Sequence, residues 1–174
     1  MNRVSLSRNQ VRKVRKYWIA ILCSILLAGC AGARLMSDYD ELTDESLMTI
    51  EEKTDDFIET LLTQSGTNKA AFSKHQDFYR DINRQLHRLE FRVNAIPGND
   101  KTSDLVKKIQ LAILGEGKCS AEGNSLRDVH CMPANKVKGP SATALANCRF
   151  TINRTISAAL SLEISKKQGA GQNK

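Results

Sequence analysis

Apolar residues recur at helical spacing through the middle of this chain, and that pattern constrains the fold more than any other feature. The clearest run covers residues 72–96, where successive positions lie three or four residues apart. Its members are nearly all apolar or aromatic: Phe72, His75, Tyr79, Ile82, Leu86, Leu89, Val93 and Ile96. The spacing predicts one amphipathic helix of about 25 residues, which Pro97 and Gly98 would end.

Three further segments have the same periodicity. Residues 43–66 form the first, with Thr43 as a favourable N-cap and Gly66 as a helix-ending residue. Residues 102–115 form a shorter one, and residues 141–167 form the last, with a serine at its start. The four helices predict an all-α fold, an antiparallel bundle of about four helices. An extended coiled coil that completes its core by self-association is the alternative.

The positive charge of the chain is concentrated at its N-terminus. The 174 residues include 26 Lys and Arg and 19 Asp and Glu, a net charge of +7. Residues 1–29 hold six basic and no acidic side chains, and the remaining 145 residues hold 20 basic and 19 acidic ones. The excess charge therefore belongs to the first 29 residues. It does not indicate that the domain binds nucleic acid.

A second charge asymmetry lies within the remaining residues. Residues 30–60 contain two basic and ten acidic side chains, and residues 61–174 contain 18 basic and nine acidic ones. The acidic first helix is therefore expected to pack against a basic neighbour. The simplest candidate is the row formed by Arg84, Arg88 and Arg92 on the second helix.

The first 29 residues have the three parts of a secretory signal peptide. A basic segment ends at Lys16, an apolar run covers residues 18–27, and small residues follow. The apolar run is too short to span a hydrocarbon core of about 30 Å comfortably. Cleavage of this segment is expected, and an uncleaved signal anchor is the alternative. An exported domain is also not expected to bind nucleic acid.

The sequence Leu26-Leu27-Ala28-Gly29-Cys30 resembles the lipobox of bacterial lipoproteins. The resemblance implies cleavage between Gly29 and Cys30, and lipidation of Cys30. Two or more acyl chains give stable membrane anchoring. In proteobacterial lipoproteins, an Asp directly after the lipidated cysteine favours retention in the inner membrane. This chain has Ala31 at that position, so the resemblance implies a location in the outer membrane.

The lipobox resemblance and the helical periodicity together divide the chain into four parts. These are a signal peptide (1–29), a lipidated cysteine with its tether (30–42), the helical bundle (43–167) and a flexible tail (168–174). The stretches 39–44 and 162–167 are similar to parts of small helical bacterial lipoproteins whose function is uncharacterised. That group supplies no activity to transfer.

Three cysteines remain after Cys30 in the exported chain: Cys119, Cys131 and Cys148. An oxidising compartment favours a disulfide over a metal site. Cys119 and Cys131 bracket a long loop, residues 115–140, and are the expected pair. Pairing of either one with Cys148 is the alternative, although Cys148 falls on the apolar stripe of the last helix.

The sequence contains no catalytic, cofactor or metal motif. His130 adjoins Cys131, but neighbouring residues rarely face each other as a nucleophile and its base need to. No closely spaced pair of metal ligands occurs. His75 is expected at the core boundary of the second helix, and His87 is expected to face solvent.

We therefore expect a non-enzymatic lipoprotein at the periplasmic face of the outer membrane. It would act by binding or scaffolding, with the membrane as one partner through Cys30 and an envelope protein as another. The first alternative is an envelope enzyme, or an accessory of a cell-wall hydrolase, with a site in residues 115–140. The second is a self-associating helical spacer, since the sequence leaves open whether the domain forms homo-oligomers.

Overall fold

The computed structural model describes residues 37–117, 119 and 123–171. Five α-helices lie in these ranges: α1 (Glu41–Gln64), α2 (Gln76–Ala95), α3 (Asp100–Leu114), α4 (Leu126–Cys131) and α5 (Ala142–Gly171). Two 3₁₀ turns, Asn68–Ala70 and Phe72–Lys74, join α1 to α2. No β-strand occurs in the described ranges, so the all-α prediction is confirmed.

The four long helices bury their apolar stripes in one shared core. α1 packs against α2 and α5, and α3 packs against α2 and α5. The side chains at the centre are aliphatic and almost fully buried: Leu47, Ile50, Ile58, Leu61, Ile82, Leu86, Leu89, Ile109, Ile113, Leu145 and Ile152. The helical periodicity had placed nearly all of these on the inner faces, because each helix is amphipathic. None of the described helices is both long and apolar enough to cross a bilayer.

The first helix begins earlier than predicted. Asp40 is its N-cap, and the Asp40 carboxylate accepts from the Thr43 backbone N–H at 3.1 Å. Thr43, the predicted cap, lies instead inside the first turn, where it is buried and its hydroxyl donates to the same carboxylate at 2.5 Å. An aspartate is at least as good a cap as threonine, and its charge favours the helix N-terminus.

The predicted second helix is shorter than its apolar pattern suggests. The two 3₁₀ turns lie within residues 68–74, and α2 begins only at Gln76. The Phe72 backbone N–H donates to the Lys136 carbonyl oxygen at 2.9 Å, and the Gly66 N–H donates to Lys138 in the same way. These hydrogen bonds to the segment after α4 satisfy backbone groups in and before the 3₁₀ turns. The turns therefore form in place of the first turn of the predicted helix.

Two further boundaries differ from the predictions. The long loop contains a short helix, α4, whose N-cap Ser125 accepts from the Asp128 backbone N–H at 3.0 Å. The last helix continues to Gly171, about one turn beyond the predicted end at Lys167. Its predicted cap is confirmed, because the Ala144 backbone N–H donates to Ser141 Oγ at 3.2 Å.

Of the predicted arginine row on α2, Arg92 pairs with Asp40, the N-cap of α1, whereas the acidic side chains within α1 pair with α5. Arg149 Nε lies 2.8 Å from Asp55 Oδ1, and Arg149 Nη2 lies 3.0 Å from Glu59 Oε2. Arg84 instead pairs with a carboxylate of its own helix, and Arg88 has no ion-pair partner in the part of the chain that the structure describes. The Arg149 pairs are partly exposed, so each contributes at most about 1 kcal/mol.

Candidate functional site

Cys119 and Cys131 form a disulfide, as predicted, with their Cα atoms 5.3 Å apart. Cys131 is the last residue of α4 and is buried, whereas Cys119 is exposed. The disulfide therefore ties α4 to the segment that follows α3. Cys148 is free and buried in α5, and burial raises the pKa of its thiol to about 11. It is therefore protonated at neutral pH and a poor nucleophile.

His130 is fully buried, and both of its ring nitrogens are hydrogen-bonded. Nδ1 lies 2.9 Å from the Tyr79 hydroxyl, and Nε2 lies 2.8 Å from the Ala70 carbonyl oxygen. A neutral ring that donates from Nε2 and accepts at Nδ1 satisfies both contacts. Burial lowers the pKa of His130 to about 4 and raises that of Tyr79 well above 10. The imidazole thus joins α4 to α2 and to the first 3₁₀ turn.

His87 lies where the sequence placed it, whereas His75, predicted on the second helix, lies just before α2. His75 is half-buried at the C-cap of the second 3₁₀ turn, and its Nε2 lies 2.9 Å from the Lys69 carbonyl oxygen. His87 is exposed on α2, with Nδ1 3.6 Å from Glu90 Oε2.

A cleft of about 820 Å³ lies between α3, α4 and α5, within the region considered for an enzyme site. Asp128 is buried there, and its carboxyl group lies directly against the backbone of Gly115, where any Cβ would clash with it. Neither a histidine nor a thiol lines this cleft among the described residues. No group of three His, Cys, Asp or Glu in those residues could hold a metal ion.

A charged pair is buried where the end of α5 meets the start of α3. Lys166 Nζ donates to Glu163 Oε1 at 2.6 Å, to Thr102 Oγ1 at 2.8 Å and to Asn99 Oδ1 at 2.6 Å. The Thr102 hydroxyl donates to the same Glu163 oxygen at 2.8 Å. The Lys166 and Glu163 side chains are only 3 % and 0 % exposed, so this is an interior network. The three acceptors compensate much of the cost of burying the ammonium.

Sequence reasoning missed this network, although the pattern contained a signal. The core positions of α5 are spaced by three or four residues, and the same spacing continues from Ala159 to Glu163 and then to Lys166. Two opposite charges in phase with an apolar stripe indicate a buried ion pair. From the sequence, residues 162–167 were interpreted only as a stretch similar to small helical bacterial lipoproteins.

The segment before α1, residues 37–40, is bonded to this network. The Ser37 backbone N–H donates to the Gly98 carbonyl oxygen at 3.2 Å, and the Ser37 hydroxyl donates to Asn99 Oδ1 at 3.0 Å. Asn99 Oδ1 also accepts from Lys166. We call this part of the domain, marked by Ser37, Gly98 and Lys166, the Ser37 end.

Two more contacts hold the segment in place. Arg92 donates to both Asp40 oxygens, from Nε at 2.6 Å and from Nη2 at 2.5 Å. These bonds hold the pKa of Asp40 at about 2, below its usual 3.8. The Lys167 ammonium lies 5.0 Å from the centre of the Tyr39 ring. The chain therefore enters α1 in a fixed position.

A groove of about 740 Å³ lies between α1 and α2 near the Ser37 end. Its wall includes Leu42 and Phe91, which are 52 % and 78 % exposed, and it also includes Arg88 and Arg92. Glu45 contributes a carboxylate to the same wall. The groove thus combines exposed apolar surface with guanidinium groups.

Gly29 and Cys30, the predicted cleavage and lipidation residues, lie outside the described residues. The chain matches no protein-family model, no curated protein and no solved structure.

Proposed function

We propose that the protein is a lipoprotein of the bacterial cell envelope, anchored through Cys30 to the periplasmic face of the outer membrane. The basic and apolar segments before Gly29 and the small residues at the cleavage position support export and lipidation. The seven residues from Cys30 to Met36 lead to Ser37, which is hydrogen-bonded to the domain. A lipid on Cys30 would therefore hold the domain close to the membrane.

The experiment that tests this proposal replaces Cys30 with Ala. We expect the Cys30→Ala protein to incorporate no labelled palmitate and to remain at precursor mass. Cys23→Ala is the matched control, because Cys23 lies inside the apolar run and leaves with the signal peptide. Maturation of Cys30→Ala together with its recovery in the outer-membrane fraction would contradict the proposal.

The proposed domain is an antiparallel four-helix bundle that acts by binding or scaffolding. Each of the four long helices packs against two of the others in a closed ring, which supports this arrangement. Three observations favour binding over nucleophilic catalysis. The Cys148 thiol is protonated, Cys119 and Cys131 are joined in a disulfide, and both ring nitrogens of His130 are occupied by hydrogen bonds. Crosslinking in intact cells would identify an envelope partner.

A further inference from the structure

The groove between α1 and α2 has an exposed aromatic residue beside guanidinium groups, close to the point where the chain enters the domain. We propose that this groove docks on the phospholipid surface of the membrane that holds the Cys30 lipid, with Phe91 and Leu42 inserted among the headgroups. The proposal rests on the lipid anchor proposed above. It adds which surface of the domain faces the bilayer.

The length of the chain outside the structure limits how far the domain can lie from the membrane. Residues 31–36 separate the lipidated cysteine from Ser37, and the seven steps between their Cα atoms span at most about 25 Å when the chain is fully extended. Ser37 is hydrogen-bonded to Gly98, just after the end of α2. The Ser37 end is therefore the part of the domain held closest to the bilayer.

The position of Phe91 distinguishes it from Phe150, the other strongly exposed aromatic residue in the part of the chain that the structure describes. Phe91 and Phe150 are 78 % and 68 % exposed. Phe91 precedes Ala95, the last residue of α2, by about 6 Å along the helix axis. Phe150 lies on α5, about 25 Å along the axis from Lys167, which contacts Tyr39 at the Ser37 end. Only Phe91 therefore lies near the membrane when the tether is short.

The chemistry of the groove fits a lipid interface. Aromatic side chains concentrate at the boundary between headgroups and acyl chains, where an apolar ring and its polar surroundings are both accommodated. Arg88 lines the same groove and has no ion-pair partner within the described ranges, which leaves its guanidinium available for lipid phosphate. Anionic phospholipids attract such groups at short range.

The test attaches the mature chain to vesicles of phosphatidylethanolamine and phosphatidylglycerol through a maleimide headgroup lipid on Cys30. Cys119 and Cys131 are joined in the disulfide, and Cys148 is buried with a pKa raised to about 11, so coupling occurs at Cys30. The chemical coupling takes the place of lipidation in cells. Because of this, a failure of membrane docking can be distinguished from a failure of lipidation.

A single tryptophan reports where the domain touches the bilayer. The only tryptophan of the chain is Trp18, which lies in the signal segment, so Phe91→Trp introduces a unique probe into the mature protein. We expect its emission to shift to the blue on coupling and to lose intensity when the vesicles contain lipids with brominated acyl chains. Phe150→Trp is the matched control and is expected to keep its solution spectrum.

Two outcomes would overturn the proposal. An unshifted and unquenched Phe91→Trp on vesicles free of other proteins would mean that the groove serves a protein partner or none. Equal quenching of Phe91→Trp and Phe150→Trp would mean that the domain has no preferred face toward the bilayer. Circular dichroism of each variant in solution checks that the helices are intact.

Discussion

Replacement of Lys166 by Met tests whether the buried charge network holds the Ser37 end together. Lys166 donates to Glu163, Thr102 and Asn99, and these bonds join α5 to α3 and to the residue before α3. Methionine has a similar length and apolar stem but no donor. The substitution therefore leaves the Glu163 carboxylate buried without its counter-ion and removes three hydrogen bonds.

Removing one partner of a buried ion pair costs about 3–5 kcal/mol, because the remaining charge stays desolvated and uncompensated. Lys166 and Glu163 are 3 % and 0 % exposed, so solvent screens little of this cost. Domains of this size are stable by roughly 5–15 kcal/mol in total. We therefore expect Lys166→Met to lower the urea midpoint by roughly 2 M, at a typical denaturant dependence of about 2 kcal/mol per molar.

Urea unfolding of the chain from residue 30 onward, followed by circular dichroism, measures the effect. Lys167→Met is the matched control, because Lys167 is exposed and loses only its contact with the Tyr39 ring, at about 1 kcal/mol or less. The double variant Glu163→Leu, Lys166→Met removes both charges and should be more stable than Lys166→Met alone. The reasoning is refuted if Lys166→Met behaves like Lys167→Met, or if the double variant is the least stable.

The remaining predictions concern the loop around α4. Reduction of the Cys119–Cys131 disulfide should lower the free energy of unfolding by about 3 kcal/mol, and an unchanged urea midpoint in reductant would contradict this. His130 has a folded pKa of about 4 against 6.5 when unfolded, so the unfolded state binds the proton first as the pH falls. Its contribution is therefore complete above pH 6.5 and is lost toward pH 4, by about 3 kcal/mol. Between pH 6.5 and pH 4, the free energy of unfolding should depend less on pH in His130→Gln than in the unsubstituted protein. An unchanged pH dependence would mean that other groups cause it.

The helices and their buried faces could be predicted because each long element is amphipathic over several turns. The spacing alone predicts Tyr79, Ile82, Leu86, Leu89 and Val93 on one face of α2, and all five are buried. The disulfide could be predicted because the two cysteines bracket one loop. In both cases the information is local in the chain.

The features that escaped prediction depend on contacts between distant segments. Helix α4 has six residues, too few for an apolar period to be recognised, and its disulfide and the His130 bonds to Tyr79 and Ala70 hold it in place. The 3₁₀ turns before α2 replace a predicted helical turn because backbone hydrogen bonds join this part of the chain to the segment after α4. Arg149 of α5 pairs with Asp55 and Glu59 of α1, and the expected arginine row contributes Arg92, which pairs with the N-cap Asp40.

A polar network at the Ser37 end specifies a geometry that an apolar core could not. Apolar residues in place of Glu163 and Lys166 would still pack α5 against α3, but they would offer Asn99 Oδ1 no donor from α5. In the structure, Asn99 Oδ1 accepts from both Lys166 and Ser37, so the core of α5 and the entering chain share one acceptor. The orientation of the first residues is thereby coupled to the interior of the domain. If Cys30 carries the anchor, this coupling fixes the point at which the tether leaves the domain.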